Sequence, residues 1–124
     1  MEDKKQVKYF TDIIAWQKSH QLVLKIYKIT KEFPSEEKFG LVSQTRRAAI
    51  SVAANIVEGF ARKNTRDSLR FYNISNASLE ELKYLVLISC DVDLINKDIH
   101  SELVEACQEA GRTLQGWIDS QIHS

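Results

Sequence analysis

At 124 residues, 44% of them hydrophobic and with no low-complexity tract, the chain reads as one domain able to bury a core without staples. Seventeen Lys plus Arg balance seventeen Asp plus Glu, and a neutral total counts against a general nucleic-acid binder. The longest apolar run, around Tyr84 to Ile88, is far too short to span a bilayer, and the opening MEDKKQVKYF lacks a secretory signal, so the expected location is the cytoplasm.

The two cysteines agree with a reducing compartment. A hairpin turning near Asn96 sets Cys90 beside Ser101 rather than Cys107, so both thiols are expected free, as small core residues. Two thiols without partners make no metal site. The neutral total hides an uneven distribution. Residues 1–72 hold fourteen cations against eight anions, a balance of +6, and residues 73–124 hold three against nine, a balance of −6. In an antiparallel bundle these halves neutralise each other.

With a single proline, Pro34, four glycines and no alternating pattern, the chain is expected to be all-α. Residues 1–10 read as a flexible N-terminal segment. The first helix is predicted from about Asp12 to Phe33, capped by Thr11 or Asp12 and ended by Pro34. Its inward positions are Trp16, Val23, Ile26, Tyr27, Thr30 and Phe33, with Lys18, Gln21, Lys25, Lys28 and Glu32 opposite. PSEEKFG connects, with Phe39 expected to tuck in as an anchor. The second helix covers roughly 41–62, and RKNTRDS turns the chain, with Asn64 or Thr65 as cap and Asp67 favourable in the first turn. The third runs from about 66 to 91. After DVDLINKD the fourth spans about 98–120, with Ile99, Leu103, Ala106, Ala110, Leu114 and Trp117 inward. Gly111 and Gly116 each cost that helix about 1 kcal/mol relative to Ala. Four helices joined by short turns predict an antiparallel up-down-up-down four-helix bundle spanning 1–124.

The second helix raises the functional question. On a helical wheel Gln44, Arg47, Ser51, Asn55, Glu58 and Arg62 fall into a stripe about 80° wide. Val42, Thr45, Ala49, Val52, Ala53, Ile56 and Phe60 form one apolar side. Ile50, Ala54, Val57 and Ala61 form a second, interrupted by Arg46. One bundle core needs an apolar arc of about 100°, and this helix has about twice that. The third helix repeats the pattern around a polar strip of Arg66, Arg70, Asn73, Glu80, Glu81 and Asp91. Surplus apolar surface needs a partner, and self-association is the economical one. The expected contact joins Ile50, Ala54, Val57 and Ala61 to Phe71, Ile74, Ser78 and Leu85 of another copy. The polar seam of Gln44, Arg47, Ser51, Asn55 and Glu58 then reads as structural or interfacial, because a covered polar group must find a partner.

Catalytic signals are weak. His20, His100 and His123 form no ligand set, and neither a phosphate-cradling glycine loop nor a GxSxG elbow occurs, so no enzyme activity, cofactor, metal or small-molecule substrate is expected. The best functional cluster is Arg62, Lys63, Arg66 and Arg70, four cations at one corner able to contact phosphates. No aromatic platform interleaves with them in sequence, so base-specific readout is not expected.

The strings AWQKSHQLVLKIYKITKEFPSEEKFGLVSQTRRAAISVAANIVEGFARK and RFYNISNASLEELKYLVLIS carry a resemblance covering nearly the whole chain. The chain resembles the four-helix-bundle proteins encoded in intervening sequences of bacterial 23S rRNA genes, a group often labelled as a ribosomal protein family. It departs from the family pattern at Ala53 and Ala54, where Pro and a small residue are common, and at Ala77, often Gly. The resemblance implies a ring-like pentamer. It also implies kinship with the accessory protein of diversity-generating retroelements, which contacts a reverse transcriptase and nucleic acid. Together these readings favour a non-enzymatic homo-oligomeric adaptor or scaffold near rRNA or an RNA-handling enzyme. The alternative is direct RNA binding through the basic corner.

Overall fold

The computed structural model describes residues 6–123. Four helices carry the fold: α1 (Ile14–Thr30), α2 (Ser43–Phe60), α3 (Thr65–Asp91) and α4 (Lys97–Ile122). Each packs on its chain neighbours and α1 closes on α4, so the bundle is antiparallel and the all-α expectation holds. The larger core cluster fills one end, with Leu22, Ile26, Val52, Leu82, Val86 and Leu103 among its members. A smaller cluster fills the other end, where Ile13, Ile56, Tyr72, Leu114 and Trp117 meet. Fully burying such a side chain contributes roughly 1.5–3 kcal/mol, so the two clusters dominate the stability.

Local chemistry sets most helix ends. The Asn64 side chain accepts the Asp67 backbone N–H at 2.9 Å and opens α3. Asn96 likewise accepts the Ile99 N–H at 2.8 Å and opens α4. Between them Asp93 turns the chain with φ 64, a left-handed conformation that Asp tolerates better than most residues. Helix α1 departs from expectation. Neither Thr11 nor Asp12 caps it; the N-cap position is Ile13, buried and without a side-chain cap bond. Hydrophobic anchoring replaces polar capping there. The segment before it is docked rather than loose in its described part, since Val7 packs on the smaller cluster and Phe10 sets its ring edge against Trp16. Residues 1–5 of the expected flexible segment lie outside the described residues.

The α1–α2 connection differs most from the sequence reading. Helix α1 ends at Thr30, Ser35–Glu37 form one tight turn, and Lys38–Val42 form a wide, π-type turn broken at Gly40. Phe39 is not tucked in: this turn throws its ring outward, 89% exposed. Tyr27, expected inward, lies at the surface, 39% exposed, because Leu22 and Ile26 take the core side of α1.

Helices α2 and α3 pack through small residues. Ser75 Oγ donates to the Val52 carbonyl at 2.6 Å, and the Ser51 and Ser78 hydroxyls meet at 2.7 Å. A Cβ on Gly59 would enter the Tyr72 ring, so glycine there sets the close approach. Across the bundle, Lys18–Glu109 and Lys25–Glu102 pairs, both at 2.9 Å, tie the basic first helix to the acidic last one.

Candidate interaction surface

The middle of the polar seam of α2 meets α3 through Ser51. Asn55 donates its amide to the Ser51 carbonyl at 2.8 Å and to Ser51 Oγ at 3.0 Å, and Ser51 in turn touches Ser78. The Asn55 amide N–H groups and the Ser51 hydroxyl thus find partners inside one chain. Gln44, Arg47 and Glu58 are exposed, with Glu58 paired to Arg62 at 3.4 Å.

Beyond the seam lies the second side of α2. Ile50 is 42% exposed, Ala54 and Ala61 are exposed, and Val57 is half-buried. On α3, Ile74 is 44% exposed and Phe71 half-buried. Six of the eight sequence-derived contact residues thus reach the surface. Two do not: Ser78 and Leu85 are only 9% and 4% exposed, and both are corrected to internal packing positions. Ser78 is spent on Ser51, and Leu85 belongs to the larger core cluster. The surplus on α3 is therefore smaller than its wheel suggests, because Leu79, Leu82, Leu85 and Val86 all serve the bundle itself. Sequence reasoning passed over Ala77, exposed one turn from Ile74, although its spacing from Ile74 was the available signal.

The basic corner sits where α2 ends and α3 begins. Arg62, Lys63, Arg66 and Arg70 are all exposed. The structure adds an aromatic the sequence reading had not placed among them. The guanidinium carbons of Arg62 and Arg70 lie 4.4 Å and 5.3 Å from the Phe71 ring centroid. Arg70 is its chain neighbour, but Arg62 reaches the ring only because the turn brings α2 back onto α3. Each such contact contributes about 0.5–1 kcal/mol at an exposed site and holds the cation in place.

With this geometry set beside known proteins, the model of the 23S rRNA-intervening sequence protein family matches residues 11–116. The chain belongs to that family. No curated protein matches it. A solved protein of unknown function from Bacteroides thetaiotaomicron, of the S23 ribosomal protein family, is similar with TM-score 0.79 and 21% identity, covering 86% of this chain and 96% of its own. That likeness shows the shared four-helix fold. No helix among the described residues is long and apolar enough to cross a membrane.

Proposed function

We propose that this family member is a non-enzymatic, self-assembling helical adaptor of the cytoplasm, built to present a repeated surface to RNA or to an RNA-handling protein. The observation that carries the reading is the apolar strip on α2, where Ile50, Ala54, Val57 and Ala61 run along a face that the bundle leaves uncovered. A single chain in water gains nothing from such a strip, whereas burial against another copy returns about 25 cal/mol per Å². Alanine and the short Val57 permit close helix approach. A ring of copies, the pentamer of the family resemblance, needs two different surfaces meeting head to tail.

Ala54→Arg tests this by placing a charge in the middle of the strip. Light scattering at micromolar concentration is expected to show a multimeric wild type and a variant of smaller mass, with unchanged helix content by circular dichroism. A monomeric wild type, or a variant of unchanged mass, sinks the proposal. A second reading, direct RNA contact at the corner, is favoured by the Phe71 ring held between Arg62 and Arg70. If that second reading holds, changing Arg62, Lys63, Arg66 and Arg70 together to Ser weakens binding of rRNA fragments in a gel shift, and unchanged binding rejects it. Stability should change little, because exposed charges contribute about 0–1 kcal/mol each.

A further inference from the structure

At the end of α2 opposite the basic corner, two adjoining clefts of about 440 and 230 Å³ open beside the wide Lys38–Val42 turn. Lys38, Val42 and Arg46 line both, so they form one continuous groove. Four cations border it, Lys31, Lys38, Arg46 and Arg47, and no carboxylate among the described residues lines either part. Glu36 belongs to the preceding turn and Glu32 lines a separate cleft against Ile99 and Glu102, whereas a Glu37 carboxylate oxygen folds back onto the wide turn, 3.5 Å from where a Cβ on Gly40 would sit. In a chain of zero net charge, four cations against this one neighbouring carboxylate leave the groove strongly positive.

Its parts are arranged, not merely gathered. Arg46 Nε donates to Thr30 Oγ1 at 2.9 Å, and its guanidinium lies 4.3 Å from the centroid of the Tyr27 ring. Thr30 Oγ1 itself donates to the Ile26 carbonyl at 2.6 Å, so its lone pairs are turned to receive Arg46. The guanidinium is thereby held while most of its other N–H groups remain for a ligand. Arg47 stands exposed on the same turn of α2. Phe39, the most exposed aromatic ring of the described chain, rises from the rim with the Lys38 ammonium 5.5 Å from its centroid.

We propose that this groove binds single-stranded nucleic acid, with phosphates on Arg46, Arg47 and Lys38 and a base stacked on Phe39. An excess of cations over acids favours a polyanion. The outward ring favours one that carries a flat π-face on every unit, as each nucleotide does and the Asp and Glu of an acidic peptide do not. The cations and the ring contact phosphate and base, features common to RNA and DNA, so both are expected to bind. The site is separate from the Phe71 corner, roughly 24 Å away along α2, and it does not depend on self-association. Ile50 borders it, so the apolar strip ends where the groove begins.

Fluorescence anisotropy with labelled oligouridine and oligodeoxyuridine of about ten nucleotides tests the site. Both are expected to bind the full-length protein at low salt, with affinity falling as salt rises. Phe39→Ala, at an exposed position that leaves the fold intact by circular dichroism, is expected to weaken binding about tenfold. Arg47→Ala should reduce the slope of log affinity against log salt by about 0.7, while Arg62→Ser with Arg70→Ser leaves affinity within about twofold of wild type. Absence of binding, or binding indifferent to Phe39→Ala and Arg47→Ala, overturns the proposal. So does an equal loss in the Arg62 and Arg70 variant, which moves the contact to the other corner. A fall in assembly mass on Phe39→Ala with oligonucleotide affinity unchanged also overturns it, and makes a second copy of the chain the occupant.

Discussion

A hydrogen atom is all that Gly59 can present to Tyr72, because any Cβ there would enter the ring. Tyr72 cannot retreat easily, since its far side meets the Trp117 ring edge-on at 6.3 Å. Gly59→Ala is therefore expected to cost about 1–3 kcal/mol through overpacking, read as a lowered urea midpoint. Had only helix propensity mattered, the same change would have stabilised α2. Cys107 gives a different test. Burial pushes its thiol up to about 11 from an ordinary value of 9.0. In the unfolded chain the thiol ionises first, so between pH 9 and 11 the folded state holds more protons and stability falls as pH rises. Cys107→Ala should remove that part of the decline, measured as urea midpoints across this range. At neutral pH a thiol reagent should modify half-buried Cys90 first and reach Cys107 only on unfolding. Phe39 marks the limit of reading single residues from sequence. An aromatic in a short connection is expected to bury itself, and only the backbone break at Gly40 shows why it does not.

Along α4 the two glycines, alike on a propensity scale, separate by surroundings. A Cβ on Gly116 meets nothing, whereas one on Gly111 would press Leu79 at 3.3 Å. Gly116→Ala should raise stability by about 1 kcal/mol in thermal melts, and Gly111→Ala should give less or nothing. For α3, Asn64→Ala should lower stability by about 1 kcal/mol through loss of the bond to the Asp67 N–H. That cap was readable because its signal is local: a short polar side chain just ahead of Asp67. Helix existence and inward faces were readable on the same grounds, since Val52, Ile56, Leu103 and Leu114 recur at helical spacing and are buried. What was not readable depends on neighbours. A wheel cannot say that α3 is covered by both α2 and α4, and so it assigned Ser78 and Leu85 to a foreign contact. Arg46 looked like a flaw in an apolar face until Tyr27 and Thr30 of α1 supplied its partners. The Phe71 bracket needed the α2–α3 turn in the same way.

For the whole molecule, the opposed charges of its two halves are joined where α1 meets α4, at Lys18–Glu109 and Lys25–Glu102. The Lys18 hydrogen bond and charge draw the Glu109 carboxyl below its usual range. This exposed pair contributes above the ordinary carboxylate range and is lost as pH falls through the lowered folded value, whereas the Ser75–Val52 and Ser51–Ser78 contacts between α2 and α3 do not titrate. The two-cluster core also fixes what light can report. Trp117 lies against Phe60 and Tyr72, and Trp16 packs on the same smaller cluster, so both indoles sit at the end where the chain starts α1 and finishes α4. The larger cluster at the opposite end contains no tryptophan among its members. Intrinsic emission excited at the indole band thus follows one end of the bundle and is silent about the other, the end that carries Phe39 and the cationic groove. A melt in which helical ellipticity falls ahead of the emission shift would mean that the dark end opens first.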